Sequence, residues 1–457
     1  MRRSDLWCPT TRESQGDGTE TTDLLRRAGL IRGFGSGLWG LTTVGERVRR
    51  KIVGRIEAGL RGVGAQRVRL PSLQYRERWA ESGRWDAFEG EMFTLQNRDE
   101  QDLCLAPSHE EAVVHLVDGR VRSYDDLPLV VYQVDAKFRD DHARDGLVRA
   151  KEFGMADAYS LHTDRRSLHA TYRAVRETFA SILEDIGLSF AVVEADTGVM
   201  GGSTSEEFVA PVSEGSDRLR YCTAADCRFG VTDEHDAFAE LRTTAADSET
   251  TSSGGTATDN AETTSSGTCP ECGGSLAVSD GIEVGHVFQL GTRYTDAAGL
   301  TVDDATGGET TVQMGSYGLG VGRLLQTLVR QHATADGLRF PVTDWGSVAP
   351  YRVAVIPVGE GSAVDDEWSA VDDEPDVATV AAAIHDAVGD DALLYDGDRS
   401  VGERFAESAL LGTPATVVVG NRYRETGLVD LETRDGETTR HSPAAVVEEL
   451  DRFAAGE

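Results

Sequence analysis

The sequence predicts a chain of mixed helix and strand, in two or three domains, that closes on an α/β domain of about 100 residues. Three observations carry that expectation. The 457 residues are too many for one compact core. Upstream of residue 349, stretches of helical periodicity are interleaved with short β-type runs. After Ala349-Pro350-Tyr351 strands and helices alternate, as far as residue 420.

Taken in order, residues 44–64 carry Val48, Ile52, Val53, Ile56 and Leu60 on one side of a helix that Gly64 stops. Val68-Arg69-Leu70-Pro71-Ser72-Leu73 follows as a strand interrupted by proline. Pro107-Ser108 is a start signal for a helix over 109–117. Residues 137–141 and 146–153 read as two strands joined by a charged loop. A long amphipathic helix spans 165–186, and 190–195 is a strand. Residues 243–268 change character, with Thr, Ser, Gly, Ala and acidic residues and almost nothing apolar, which predicts a flexible linker. In the closing domain, 353–358, 392–395 and 416–420 are strands, and 376–388 and 402–411 are helices. The acidic stretch 365–376 is expected to be a solvated loop.

The formal charge is -33, and only Lys51, Lys137 and Lys151 are lysines. With small apolar residues, this is the pattern of a halophile proteome. In molar salt the Debye length is about 3 Å, so acidity says little about partners; RNA would have to be held by stacking, hydrogen bonds and shape. No apolar run of about 18 residues is present, and the N-terminus lacks the apolar core of a signal peptide, so a cytoplasmic protein with no membrane span is expected. Cys8 and Cys104 are isolated and read as small hydrophobes. Four residues separate Cys222 from Cys227, and two separate Cys269 from Cys272. The second pair, in Cys269-Pro270-Glu271-Cys272-Gly273-Gly274, is a knuckle pattern. Four sulfurs could make a closed structural zinc site; a metal-free turn and disulfides are the alternatives, because the first spacing is wider than usual.

Four stretches carry chemistry. In the hairpin Lys137-Phe138-Arg139 to Lys151-Glu152-Phe153, the arginine fork suits a phosphate or carboxylate, and Phe153 offers a flat face to a nucleobase. Read by itself, the segment is equally an amphipathic hairpin with a solvated turn. The others are Leu105-Ala106-Pro107-Ser108-His109-Glu110-Glu111, Glu283-Val284-Gly285-His286-Val287-Phe288-Gln289-Leu290-Gly291-Thr292-Arg293-Tyr294, and Met314-Gly315-Ser316-Tyr317-Gly318-Leu319-Gly320-Val321-Gly322-Arg323. The glycines of the last permit close backbone approach to a ligand.

In order, spacing and wording this set resembles the bacterial-type prolyl-tRNA synthetases of class II, over nearly the whole chain. Gly64 to Pro71 resembles the family's motif 1, a dimer-interface element; Phe138 to Phe153 resembles motif 2, and Gly315 to Arg323 motif 3. The resemblance implies an α+β fold, an antiparallel sheet with flanking helices, followed by a C-terminal α/β anticodon-binding domain. It divides the chain into a catalytic domain at 1–221 and 282–348, a short cysteine-flanked insertion at 222–281, and an anticodon-binding domain at 349–457. It implies ATP-dependent formation of prolyl-adenylate and transfer to the 3' end of proline tRNA, with Mg2+ on the phosphates, by a homodimer. Arg139 and Arg323 would be catalytic. ATP would be held by Arg139, Arg149, Glu152, Phe153, Gln289, Thr292 and Arg323. Proline would be held by Ser108, Glu110, Arg139, Tyr159, His162 and Ser316, with a hydrogen-bonded core histidine the alternative for His162. His109 is read as structural.

The chain also departs from the family. The loop of motif 2 is one residue short and acidic, with Ala143 and Asp145 where positive residues are common. Lys151 stands for arginine and Glu206 for histidine. Relatives commonly carry a large editing domain where this chain has only the cysteine-flanked insertion, so no editing in cis is expected. Arg399, Arg404 and Arg422 in the closing domain are the expected anticodon-side contacts. They weigh against the alternative, a paralogue activating an amino acid for a specialised or non-tRNA acceptor.

Overall fold

The computed structural model describes all residues except 15, 17, 89, 236, 242–266, 360–375 and 455–457. The linker expected at 243–268 and the acidic loop expected at 365–376 fall almost wholly outside the described residues.

Helix α1 (Glu20–Arg27) leads into α2 (Thr43–Gly62). The Thr42 hydroxyl caps α2 by accepting the Gly45 N–H, and Val44, Val48, Ile52, Ile56 and Leu60 are fully buried along one face. Each such side chain contributes about 1.5–3 kcal/mol. The chain leaves the helix at Gly64, in the left-handed region (φ 80).

The nine-stranded sheet that follows is built almost entirely of antiparallel pairs. Its strands are β1 (Gln66–Arg67), β2 (Leu129–Phe138), β3 (Glu152–His162), β4 (Ala191–Ala195), β5 (Thr204–Val212), β6 (Asp217–Cys222), β7 (Gly230–Thr232), β8 (Leu276–Gly291) and β9 (Gln313–Gly320). The order is β7-β6-β8-β9-β3-β2-β1, with β5 also on β8 and β4 on β5; only β1 runs parallel to its neighbour β2. Helices α2, α4 (Arg165–Asp185) and α5 (Val321–His332) cover one face, and their apolar sides form the main core. The other face carries α3 (Glu110–Val117) and a three-stranded sheet of residues 73–75, 94–96 and 102–105.

Two expectations are corrected here. The strand expected at 68–73 is absent: Leu70 donates its N–H to the Gln133 side chain at 3.1 Å, and Pro71 has no N–H to offer a ladder. The domain boundary expected at 281 falls inside β8, which runs unbroken from the cysteine knuckle into the main sheet.

The C-terminal sheet has five strands, β10 (Val353–Pro357), β11 (Ala392–Leu394), β12 (Ala415–Val419), β13 (Val429–Thr433) and β14 (Thr438–His441), in the order β11-β10-β12-β13-β14. The first three are parallel and the last two add antiparallel. The N-terminal segment ties this unit to the rest: Arg3 donates to both oxygens of Glu407 at 2.7 and 2.9 Å, and Ser4 donates to Asp396. Among the described residues, no helix is long and apolar enough to cross a membrane.

Candidate active site

Strand alternation decides which residues meet on the open face of the main sheet. The register aligns Tyr159 with Ser316 and Ser316 with Phe288, then Asp157 with Gly318 and Gly318 with His286. Those residues share one face. With Ser108, Glu110, Arg139, Phe153, Glu283 and Arg323 they line a cavity of about 320 Å³. That size suits a small-molecule ligand.

One end of the cavity is built around Arg84, whose side chain is fully buried. Its guanidinium lies over the rings of Trp79, Phe88 and Tyr294, at 4.9, 4.8 and 5.3 Å. It donates to Glu110 Oε2 at 3.0 Å, Glu111 Oε2 at 2.9 Å and Ser108 Oγ at 2.7 Å. Ser316 Oγ donates to Glu110 Oε1 at 2.8 Å. Burial pushes the Glu110 carboxyl up, but Arg84 and hydrogen bonds from Ser108 and Ser316 outweigh it and hold it below the ordinary value. Glu111 moves the other way, raised by burial despite Arg84, with the Glu110 charge adding to the rise. One guanidinium against two carboxylates leaves this end complementary to a cation. Beside it, Asp157 accepts from Lys137 Nζ at 2.7 Å, Gln133 at 2.9 Å and the Tyr159 hydroxyl at 2.7 Å.

The other end is more open. Arg323, at the start of α5, donates to Glu283 Oε2 at 2.7 Å and to the Val148 carbonyl at 2.9 Å. Glu283, Glu207 and His286 bring ligand atoms within 4.8 Å of one another. Burial raises the Glu207 carboxyl to about 8, with the charges of Glu283, Asp217 and Glu234 adding to the rise. Between the two ends stands Arg139, its guanidinium 5.4 Å from the Phe153 ring. Its Nη2 makes a long contact to the Pro107 carbonyl at 3.4 Å, its Nε has no partner, and no carboxylate among the described residues pairs with it. Burial, and then the Arg323 charge, lower its pKa. A guanidinium so placed awaits an anion.

Five candidates from the sequence stand apart. Arg149 pairs with Asp141 at 3.2 Å and faces an adjoining cleft rather than the cavity itself. Glu152 is exposed at the end of β3. Gln289 pairs with Gly315, one position out of step with Phe288, and so lies off the cavity face; Thr292 lies past the end of β8. His162 is likewise off that face, fully buried, with Nδ1 2.8 Å from Ser167 Oγ; burial lowers its pKa to about 4. It packs in the core rather than shaping the pocket. His109 is buried against the Pro71 carbonyl at 3.2 Å. Glu206 points away as well, taking the Tyr172 hydroxyl at 2.6 Å and Arg176 at 3.0 Å. Reading the sequence alone missed Arg84, Asp157, Glu207, Glu283 and His286 as members of the site. For Arg84 the available signal was an arginine set among Trp79, Trp85 and Phe88.

A separate cluster sits where β6 meets the start of β8. The Sγ atoms of Cys222, Cys227, Cys269 and Cys272 all lie within 4.8 Å of one another, with Cys222 to Cys272 at 3.4 Å and Cys227 to Cys269 at 3.7 Å. A tetrahedron with Zn–S of about 2.3 Å needs sulfurs about 3.8 Å apart. Backbone N–H groups of Ala224 and Gly274 point at Cys222 and Cys272.

In the C-terminal unit the three arginines expected to face RNA all have partners within the protein, Arg404 in the interior and Arg399 and Arg422 in ion pairs at the surface. Arg404 is buried and donates to the carbonyls of Pro357, Arg399 and Gly397. Arg399 pairs with Glu407 at 2.8 Å and Arg422 with Asp430 at 3.0 Å.

Residues 93–332 match the class II tRNA synthetase core domain of the G, H, P, S and T enzymes, and 352–452 match an anticodon binding domain. A proline–tRNA ligase of Acidithiobacillus ferrooxidans is 30% identical over 561 aligned positions, covering 95% of this chain and 96% of the relative. One from Nitratidesulfovibrio vulgaris is 28% identical over 585 positions, covering 100% and 99%. Both alignments exceed the 457 residues here, so these relatives carry long segments that this chain lacks. Among solved structures, a Giardia lamblia prolyl-tRNA synthetase in complex with prolyl-adenylate superposes with TM-score 0.71 at 17% identity, over 95% of this chain and 79% of that one. A Cryptosporidium parvum prolyl-tRNA synthetase complexed with halofuginone and AMPPNP gives 0.70 at 14%, over 95% and 74%.

Proposed function

The chain belongs to the class II aminoacyl-tRNA synthetases, in the family of the proline–tRNA ligases, and we propose that its cavity joins proline to ATP and passes the prolyl group to tRNA. The proline carboxylate attacks the α-phosphorus and pyrophosphate leaves. The terminal ribose hydroxyl of tRNA then attacks the prolyl carbonyl and AMP leaves. Neither step requires a protein nucleophile; positioning and charge stabilisation carry them.

The observation that supports this most is Arg139, without a carboxylate partner, between a cation-complementary end and an arginine-lined end. Arg139 bridges the carboxylate and the α-phosphate. Glu110, Ser108 and Ser316 receive the ring nitrogen, which is protonated and needs both an anion and an acceptor. Tyr159, fixed by Asp157, borders the proline ring. Phe153 and Arg323 take the nucleotide, with Arg149 reaching the phosphates from the adjoining cleft. Glu207 and Glu283 would hold Mg2+, a hard cation that takes oxygen ligands, and the ion would screen the triphosphate. The four cysteines would hold a structural zinc ion. Homodimerisation through residues 64–71 fits the exposure of the neighbouring Leu73 and Tyr75, and the cytoplasm is the compartment this activity calls for.

The test is proline-dependent ATP–pyrophosphate exchange followed by charging of proline tRNA, both in molar salt. Exchange and charging together are expected. A second reading, activation for another acceptor, is favoured by one observation: Arg404 is buried and spent on backbone carbonyls, so it cannot serve as an anticodon contact. Exchange without charging would establish it.

A further inference from the structure

The loop joining β2 to β3 carries three aspartates, and they do different things. Asp140 pairs with Lys151 and Asp141 with Arg149, both inside the hairpin. Asp145 turns away from it. Its backbone is left-handed (φ 55), uncommon for a residue with a side chain. Its carboxylate receives Thr19 Oγ1 at 2.7 Å, Gln326 Nε2 at 2.8 Å, and Arg330 Nη1 and Nη2 at 2.8 and 2.6 Å. Gln326 also donates to the Asp145 carbonyl at 2.9 Å and accepts the Leu147 N–H at 2.7 Å. Gln326 is fully buried and the Arg330 side chain nearly so. Gly146, also left-handed (φ 58), has no room for a side chain, since a Cβ there would stand 2.5 Å from Thr22 and 2.6 Å from Gln326.

Two of the partners of Asp145, Gln326 and Arg330, lie on α5, the helix whose first turn carries Arg323. Arg323, Gln326 and Arg330 are spaced three and four apart and so share one face of α5. Arg323 reaches the cavity; the other two hold the turn. The turn returns the contact, because the Val148 carbonyl accepts Arg323 Nε at 2.9 Å while Glu283 takes Nη1 from the opposite side. The Arg323 fork is therefore clamped between β8 and a turn that Asp145 fixes.

We propose that Asp145, through Gln326 and Arg330, is a positioning residue for Arg323 and hence for the nucleotide, and that this is why an acidic residue stands in the loop. The proposal rests on Arg323 as an ATP contact. It confines the effect to one substrate: the proline end is fixed by Arg84 and, among the described residues, shares no hydrogen bond with this network.

The experiment compares Asp145→Ala, Asp145→Asn and the double variant Asp145→Asn with Arg330→Gln. KM for ATP and for proline are measured in pyrophosphate exchange, with thermal midpoints alongside. Asp145→Ala is expected to raise KM for ATP by about tenfold or more with KM for proline within about twofold, since small misplacements of a binding group have effects of this size. The double variant, which removes the unpaired Arg330 charge, is expected to recover part of the loss. An unchanged KM for ATP in a folded Asp145→Ala protein overturns the proposal, and so does a parallel rise for both substrates. If the unmodified protein shows no exchange with proline, the functional reading itself fails. ATP binding by calorimetry then decides: weaker binding by Asp145→Ala supports the clamp, and equal binding overturns it.

Discussion

The two ends of the cavity solve opposite problems. At the amino-acid end, Arg84, Glu110, Glu111, Ser108 and Ser316 are all buried and bonded to one another before any ligand arrives. At the nucleotide end, Arg323, Glu283, Glu207, His286 and Arg149 are only partly buried, and carboxylates are crowded together. A pre-formed dry frame, whose burial makes each unmet hydrogen bond costly, suits a small, rigid ligand such as proline. A polyanion needs charge that stays hydrated until it is screened, and a half-open surface supplies it.

The largest effect is expected at the residue that spans both ends. Arg139→Ala should lower kcat of exchange by roughly 10²–10³-fold, the size of losing a group aimed at developing charge. Arg139→Lys should recover little, because a single ammonium cannot bridge carboxylate and phosphate as a planar fork does. A mild loss in either variant would make the two ends independent. Next comes Glu110→Gln, expected to raise KM for proline by about 10–100-fold while leaving KM for ATP unchanged, consistent with about 1.5–3 kcal/mol for a hydrogen bond to a charged group. Arg84→Met leaves two buried carboxylates unpaired and should destabilise the protein by about 3–5 kcal/mol, read as a drop in thermal midpoint. If it lowers proline affinity without that drop, the frame is less rigid than its contacts imply.

The same contrast explains what could be read in advance. Helix α2 was legible because its apolar residues recur four apart and Gly64 closes it. The strands and helices from 353 to 420 were legible because each is short, uniform and separated by turn residues, whereas the antiparallel strands at 429–433 and 438–441 and the helices around them went unread. The residues Ser108, Glu110, Arg139, Phe153 and Arg323 were picked out through long motifs in family order, and the fold gathers them around one cavity. What the sequence does not reveal is parity. Phe288 and Gln289 are adjacent, yet only Phe288 faces the cavity, and the choice is set by the register of β8 against β9 and β5. The same holds for Tyr159 against His162. Arg84 escaped because its partners lie 24, 26 and 27 residues away, so no local pattern joins them.

Away from both ends, the cysteine cluster bears on how the nucleotide end is held, since β8 runs from Leu276 beside the knuckle to Glu283, His286 and Phe288 in the cavity. Zinc analysis of the purified protein should give one ion per chain. Removing it by chelation, or Cys269→Ser, should lower the thermal midpoint by several degrees, and KM for ATP should rise more than KM for proline. Absence of stoichiometric zinc, with the thiols oxidised in pairs, would remove the metal from this account. A further expectation follows from the short insertion: the protein should not hydrolyse mischarged alanyl-tRNA, and its clearance by the purified chain would show that the missing length is not needed for editing.

The smallest effect lies inside the amino-acid end and concerns pH. Glu110 and Glu111 share Arg84 yet shift in opposite directions. Burial raises both; Glu110 is brought back below its ordinary value by Arg84 and two hydroxyls, whereas Glu111 has Ser82 and the neighbouring Glu110 charge. For Glu110, whose folded pKa is lowered, the linked stability is present above the unfolded carboxylate range and is lost as pH falls through the folded value. For Glu111, whose folded pKa is raised, the sign is reversed: stability is greatest below the unfolded range and declines as pH rises through the folded value. Glu111→Gln, which stays neutral, should therefore gain thermal stability relative to the unmodified protein as pH rises from about 4.5, with KM for proline little changed. Glu110→Gln should lose stability relative to the unmodified protein in the interval below that one, as pH rises toward about 4.5, and hold a constant deficit above it. Parallel behaviour of the two variants would mean that Arg84 treats them alike, and that the frame binds a cation by total charge rather than through Glu110 in particular.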